Sequence, residues 1–381
     1  HNHENMGLGN SWDAENPARA APDHVHCRFN NCAQSSTFVR THPNQVQRAR
    51  AIPAIPTLDP DMNIDMPLPE SAPPAAVRGP FALDDEQAYR RWREQKLACH
   101  PRRAEDLIVE VRDPRNLRAS EVEQLRRVCN IANMAIYASP CAGVADKNFP
   151  RRLGAQLGLA RHVANPLADD DGISSLEVMP GKMTRGYIPY SNRRLLWHTD
   201  GYYNAMPDSI RAFILHCVHP AGDGGVNRLL DHEIAYILLR DARPDYVRAL
   251  AAADAMTIPA NTDPGIAIRP ARTGPVLSVD AASGSLHMRY TARTRSIEWR
   301  SDDATRAALQ FLEQLMSGDS QYVFTHRLAG GEGLVCNNVL HDRTAFTLAT
   351  GDQPGRLIYR IRYRDRIAGT AAAADHSATH P

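Results

Sequence analysis

GLVCNNVLHDRTAF (residues 333–346), followed after a short gap by GDQPGRLIYRIRYRDR (residues 351–366), decides the fold class of this chain. Each contains a run of branched and aromatic residues bounded by Asn, Asp, Gly or Pro, which reads as a β-strand entered and left through turns. In the second run arginines stand at 356, 360, 362, 364 and 366. Residues two apart on a strand share a face, so the five guanidinium groups project the same way. One reading is an exposed basic edge strand, since a wholly buried row of cations is costly. The other is that one or two of them point into a cavity and hold a dicarboxylate, because guanidinium grips a carboxylate in a two-pronged way.

The same texture extends upstream. From residue 172 onward the chain is mostly short strand-like runs separated by Gly, Pro, Asn and Asp: ISSLEVM, RAFILHCV, VNRLLD, AMTIPA, PVLSV, SLHMRYT and QYVFTH precede the two already quoted. That pattern belongs to an antiparallel sandwich or barrel. Helical periodicity interrupts it at about 232–253 and 302–317. The expected class is therefore mainly β with α, with helices flanking and inserted into a β core.

Between 81 and 170 the reading is α/β. FALDDEQAYRRWREQKLA reads as a helix opened by acids, DLIVEVRDP as a strand, and SEVEQLRRVCNIANMAIYA as a second amphipathic helix with Ser120 and Glu123 as its capping box. Residues 1–80 hold 11 of the 27 prolines and little periodicity, so they are expected to be an extended or partly disordered leader. That leader carries His24, His26, Cys27 and Cys32, but without the paired spacing of a structural zinc site. The folded domain is expected over 81–368, with its β core from 171, and residues 369–381 as a disordered tail.

Lys and Arg number 44 against 43 Asp and Glu, so no global field draws the protein onto nucleic acid or an anionic membrane. No apolar run approaches the ~20 residues that span a bilayer. Seven cysteines, scattered and odd in number, fit a reduced cytoplasmic setting better than a disulfide framework. G-x-S-x-G, H-E-x-x-H, G-x-x-x-x-G-K-[ST] and G-x-G-x-x-G are all absent, which removes the simplest support for serine hydrolase, zincin, P-loop and dinucleotide-binding readings.

Of 16 histidines, only His198 has an acid two residues later, Asp200, in LLWHTDGYYN. In extended backbone both side chains reach one ion. Two histidines and a carboxylate on one face of an octahedron leave the opposite face open for a co-substrate and O2. A third ligand must then come from a distant strand. His-x-acid alone is weak, and an ordinary surface or capping pair is the bland alternative.

The ordered set His198-Thr199-Asp200, Gly224-Gly225-Val226-Asn227, Asn337-Asn338-Val339-Leu340-His341 and Arg356 resembles the taurine dioxygenase and clavaminate synthase superfamily, which includes gamma-butyrobetaine hydroxylase. The resemblance spans about residues 170–366. It implies a double-stranded β-helix, or jelly-roll, core. It also implies Fe(II) held by His198, Asp200 and His341, with 2-oxoglutarate and O2 as co-substrates and succinate and CO2 as products. Arg356 would bind the distal carboxylate of 2-oxoglutarate, and Arg360 the other carboxylate or an anionic substrate group. Asn227 stands where the family often has threonine; an amide donates to a carboxylate as a hydroxyl does. Related halogenases lack the carboxylate, so Asp200 favours hydroxylation, or desaturation or ring closure, over halogenation.

The expected partner is a small polar molecule: an amino acid, a betaine or a sulfonate-like acid. Tyr202, Tyr203 and Asn204 follow the metal tripeptide closely enough to border its cavity, though the tyrosines pack equally well in a barrel. Arg343 is a candidate for an acidic substrate or for pairing with Asp342 or Asp365. His216, His219, His232, His287 and His326 are read as structural. A non-catalytic jelly-roll binding protein and a zinc hydrolase on the same His and Asp are the alternative readings.

Overall fold

The computed structural model describes residues 79–163, 169, 171–178, 188–263, 266–295, 297–351 and 354–371, all within the compact unit Ser71–Pro381. The leader to residue 78, with its histidines and cysteines, and the tail from 372 lie outside the described residues.

Helix α1 (Glu86–Cys99) opens where the acids stand: Asp85 caps it by accepting from the Ala88 N–H at 2.9 Å. Strand β1 (Ile108–Glu110) leads to α2 (Ala119–Ala132). Two expectations change here. The cap is made by Glu121, which accepts from the Arg118 and Arg112 N–H groups at 2.6 and 2.9 Å, two residues earlier than Ser120 and Glu123. The helix also stops before MAIYA, because Asn133 adopts φ 58° and turns the chain into β2 (Met134–Ala138). Asn tolerates this left-handed conformation better than most residues. Helix α3 (Asn148–Gln156) follows.

Next come β3 (Ser174–Leu176), β4 (Leu195–His198), β5 (Ala212–His219) and β6 (Asn227–Leu230). The helix expected over 232–253 is two, α4 (His232–Ala242) and α5 (Pro244–Leu250). Pro244 lacks an N–H and forces extended backbone on Arg243, whose φ is −161°. Seven short strands then form small sheets of their own: β7 (Met256–Ile258), β8 (Asn261–Asp263), β9 (Ile266–Arg269), β10 (Arg272–Gly274), β11 (Leu277–Val279), β12 (Leu286–Met288) and β13 (Glu298–Trp299). Helix α6 (Asp303–Ser317), capped by Asp302, precedes β14 (Val323–His326), β15 (Glu332–Cys336), β16 (Leu340–Arg343) and β17 (Leu357–Tyr363).

The result is a mixed α/β fold with several sheets. The largest has the order β1-β2-β15-β5-β17-β3, and a four-stranded sheet has the order β14-β6-β16-β4. Strand register sorts the side chains by face. In the smaller sheet His341 pairs with His198 and with Leu229, and Arg343 with Asn227, so these five share a face. Leu229 and Phe324 carry that face into a core shared with Phe213, Leu215 and Leu334 of the larger sheet. The opposite face presents Trp197, Leu230 and Leu340 to Ile234, Ile237 and Leu312 of α4 and α6. Each such buried side chain contributes roughly 1.5–3 kcal/mol, an upper range for real denatured chains.

Strand β17 lies between β5 and β3, so the exposed-edge reading of its arginines does not hold. Arg360 and Arg362 are buried, paired in register with Leu215 and Phe213. Each finds a polar partner from a distant segment. No helix among the described residues is long and apolar enough to cross a membrane, and the five described cysteines are free.

Candidate functional site

His198 ends β4, Asp200 lies in the turn that follows, and His341 sits on the neighbouring strand β16. The register that pairs His341 with His198 brings their rings to 4.2 Å between centroids. The His198 Nε2 is 3.5 Å from the Asp200 Oδ1, and one ligand atom from each of the three residues lies within 4.8 Å of the others. All three are buried.

Both imidazoles are oriented the same way. Nδ1 of His198 is 2.9 Å from the Leu196 carbonyl, and Nδ1 of His341 is 2.9 Å from the Val339 carbonyl. A carbonyl only accepts, so each Nδ1 carries the proton and each Nε2 presents a lone pair. Fixing the tautomer through the second ring nitrogen is how metal-binding histidines are prepared. The Oδ2 of Asp200 is buried and receives no hydrogen bond, although the Arg360 Nη1 is 3.3 Å away and donates to Oδ1 at 3.4 Å. An orphaned carboxylate oxygen beside two free imidazole nitrogens is what a cation would satisfy.

The turn that carries Asp200 is held at several points. Thr199 exchanges hydrogen bonds with the Tyr290 backbone, both at 3.0 Å. Gly201 has φ 69°, and a Cβ there would stand 2.4 Å from Ile210 Cγ1. Asn338 reaches across from the β15–β16 turn. Its Oδ1 accepts from the Asp200 N–H at 2.8 Å, and its Nδ2 donates to the carbonyls of Asp200 and Ile210 at 2.9 and 2.7 Å. Sequence reasoning treated Asn338 only as part of a motif. The available signal was an Asn three residues before a ligand histidine in a turn.

Burial penalises the Asp200 charge, but the Arg360 guanidinium and His198 overcome this and hold its carboxyl well below the usual range. Burial, followed by the proximity of His198, pushes His341 down to about 3, leaving it neutral and able to ligate at physiological pH.

The arginine row divides. Arg360 has Asp200, Arg362 donates to the Tyr203 hydroxyl at 3.1 Å, Arg364 pairs with Asp208 at 2.8 Å, and Arg366 meets Glu233 at 3.5 Å. Arg356 has no hydrogen bond or ion pair with a described side chain, and its guanidinium lies 5.1 Å from the centre of the Phe346 ring. Burial lowers its pKa to about 10, so it stays cationic. Arg343 covers the same ring at 4.8 Å. The Gly-Gly step borders this place: a Cβ on Gly224, at φ 73°, would stand 2.2 Å from the Ala345 carbonyl, and one on Gly225 would be 3.7 Å from Arg356 Nε. Asn227 is buried, and its amide makes no hydrogen bond with a described residue.

The remaining candidates are distributed differently. The Tyr202 ring meets the His198 ring edge-on at 6.5 Å, and its hydroxyl is 3.3 Å from Arg293. Tyr203 stands beside it at 5.2 Å. Asn204 turns its amide onto the Asp208 carbonyl at 2.9 Å, within its own loop. Arg343 donates to the backbone carbonyls of Ser191, at 2.9 Å, and Arg193. It pairs with neither Asp342, which Arg228 and Arg194 hold, nor Asp365, which Arg161 holds.

Comparison with known proteins bears on this geometry. Residues 99–362 match the family described as "Taurine catabolism dioxygenase TauD, TfdA family", a span that contains the triad and Arg356. The chain belongs to this TauD, TfdA family. A search of curated proteins finds no match. Among solved structures, asparagine oxygenase in complex with Fe(II), 2S,3S-3-hydroxyasparagine and succinate is 17% identical, with a TM-score of 0.42 over 73% of this chain and 92% of that one. The non-heme iron oxygenase OrfP with Fe, succinate and (3S)-hydroxy-L-Arg is 17% identical, with a TM-score of 0.47 over 65% and 81%. PvcB from Pseudomonas aeruginosa is 15% identical, with a TM-score of 0.45 over 67% and 84%.

As a TauD, TfdA family member the protein is a 2-oxoglutarate-dependent dioxygenase that uses Fe(II). The donor set fits that metal: two imidazole nitrogens and one carboxylate, the combination typical of non-haem Fe(II) oxygenases.

Proposed function

We propose that His198, Asp200 and His341 are the iron ligands, and that the enzyme hydroxylates an unactivated C–H bond of a small polar acid such as an amino acid, a betaine or a sulfonate. The observation that carries the metal assignment is the preparation of the triad, with both Nδ1 atoms tied to backbone carbonyls and Asp200 Oδ2 left without a donor. The two sheets, facing each other across the triad, are read as a double-stranded β-helix within a catalytic domain spanning 81–368.

Iron and 2-oxoglutarate supply O2-dependent oxidation of a C–H bond, with succinate and CO2 released. The chain's own residues bind and orient. Arg356 offers a guanidinium without a protein anion to the distal carboxylate of 2-oxoglutarate, and Asn227 offers an uncommitted amide. The Phe346 ring lies within cation–π reach of both Arg343 and Arg356 and gives the Arg356 guanidinium an aromatic surface to rest on. Arg360 holds Asp200 ionised, and burial holds His341 neutral, so neither needs to lose a proton before it ligates. Tyr202 and Tyr203 line the approach beside His198.

The test is a screen of amino acids, betaines and sulfonates for stimulated conversion of 2-oxoglutarate to succinate, with mass spectrometry of the co-product. A gain of one oxygen supports hydroxylation. Loss of two hydrogens redirects the chemistry to desaturation or ring closure.

A further inference from the structure

The turn between β15 and β16 carries two buried asparagines with different partners. Asn338 grips the backbone of Asp200, whereas Asn337 is held by the segment that follows β17. The Ile367 N–H donates to Asn337 Oδ1 at 3.1 Å, and Asn337 Nδ2 donates to the Thr370 hydroxyl at 3.0 Å. The same Nδ2 also donates to Asn133 Oδ1 at 3.1 Å, and the Asn337 N–H donates to the Asn133 carbonyl at 2.8 Å. Both amide hydrogens and the side-chain oxygen are thus committed.

The segment after β17 is shaped for this grip. The chain reverses over Ile367 to Thr370, where the Thr370 hydroxyl and N–H both donate to the Ile367 carbonyl, at 2.7 and 3.3 Å. Gly369, at φ 79°, makes the reversal possible without strain. Arg366 fastens it from one end: its Nε donates to the Thr370 carbonyl at 2.8 Å and its Nη2 to Asn133 Oδ1. The Ala368 N–H donates to the Leu157 carbonyl at 3.0 Å. Asn337, Ile367 and Thr370 are all buried, so a hydrogen bond left unmade here is not recovered from water.

The turn held in this way serves two metal-site side chains. Asn338 bridges the N–H and carbonyl of Asp200 from a left-handed backbone, φ 54°, which fixes how its amide must face. The next residue, Val339, supplies the carbonyl that orients the His341 ring. A shift of the turn would therefore disturb the carboxylate and the distal histidine together. The matched family span ends at residue 362, so Arg366, Ile367 and Thr370 lie beyond it.

We propose that Arg366 to Thr370 form a clasp that sets the β15–β16 turn for metal binding, with Asn337 and Thr370 as positioning residues for Asp200 and His341. This rests on the iron reading of His198, Asp200 and His341. Loss of the clasp is then felt at the metal by way of Asn338, and not merely as lost stability.

A double-substitution cycle on the full chain tests this, with Co(II) alone as the probe, under argon. Optical titration reads the affinity, and the visible spectrum reads the geometry of the ligands. Thr370→Val removes the hydroxyl with little change of shape and is expected to weaken Co(II) binding about three- to tenfold, as is Thr370→Ala. That is less than the loss expected when a residue touching a ligand is removed. Thr370→Ser keeps the hydroxyl and is expected to bind within about twofold of wild type. Residues that act through one another are not additive, so in an Asn338→Gly or Asn338→Asp background Thr370→Val is expected to add less than about twofold. Urea unfolding of the metal-free forms reads stability separately. A wild type that binds no Co(II) overturns the iron reading, and this proposal with it. Wild-type affinity and spectrum in Thr370→Val and Thr370→Ala overturn this proposal alone. So does a three- to tenfold loss that recurs undiminished in both Asn338 backgrounds, or one that Thr370→Ser does not rescue.

Discussion

The side-chain amide of Asn338 bridges both backbone polar groups of Asp200, accepting from its N–H at 2.8 Å and donating to its carbonyl at 2.9 Å. The second amide hydrogen goes to the Ile210 carbonyl at 2.7 Å. Asn338 itself has φ 54°, a conformation that most residues resist. One residue thus needs a left-handed backbone, one acceptor and two donors, and asparagine supplies all four. The chain runs from this turn directly into β16 and His341, so Asn338 ties the carboxylate and the distal histidine of the triad together.

Asn338→Asp keeps the acceptor and loses both donors, while Asn338→Gly keeps the backbone and loses the whole clamp. Both are expected to weaken Fe(II) or Co(II) affinity by about 10- to 100-fold, the usual effect of removing support behind a metal ligand. Equilibrium metal titration checks this. Affinity equal to wild type in both variants would show that Asp200 does not depend on the clamp.

Arg356 is expected to act on the co-substrate rather than on folding, because no described side chain pairs with it. Arg356→Lys keeps a charge but loses the two-pronged grip, so the KM for 2-oxoglutarate should rise at least about tenfold. Arg356→Ala should cost about 2–5 kcal/mol of 2-oxoglutarate binding. Calorimetric titration of the Fe(II)-loaded enzyme under argon reads both values. An unaltered affinity would remove Arg356 from the co-substrate site.

A buried charge cluster ties α1 and α4 to the segment after β17. Lys96 meets Asp231 and Glu233 at 2.7 and 2.5 Å, Arg366 meets Glu233, and Asn133 donates to Asp231 at 2.9 Å. Burial alone would raise the Glu233 pKa, but Lys96 and Arg366 hold it below the usual value of 4.5. A depressed carboxyl contributes stability above its unfolded pKa and loses it as pH falls through the folded one. Lys96→Met leaves two buried carboxylates sharing Arg366, and should cost about 3–5 kcal/mol at neutral pH. It should also raise the Glu233 pKa and move the onset of acid unfolding to higher pH. Urea denaturation between pH 3 and 7 checks this; wild-type stability in the variant would mean that the cluster is energetically neutral.

How much of this was legible in sequence depended on whether partners were local. His198, Asp200 and His341 are gathered as their order suggested, because strand alternation and a turn dictate which way such residues point. Arg360 and Arg362 share a face of β17, yet their burial was hidden: Asp200, Tyr203 and Asp208 come from the loop between β4 and β5 and Glu233 from α4, both remote in sequence from the arginines. The overrun of α2 into β2 has a similar cause, since the apolar spacing through Val128, Cys129 and Ala132 continues smoothly into MAIYA and only the conformation of Asn133 ends it. Asn338 reads as a turn residue, and nothing nearby announces that its amide serves Asp200. Asn204 and Arg343 were chosen for proximity, but each has its polar atoms engaged by neighbouring backbone.

The most direct measurement is the visible spectrum of anaerobic protein with Fe(II) and 2-oxoglutarate. If His198, Asp200 and His341 hold iron with the co-substrate bound to it, a weak charge-transfer band develops in wild type and is abolished in His198→Ala. A well-folded wild type without the band, or a band of equal strength in His198→Ala, would contradict the iron site.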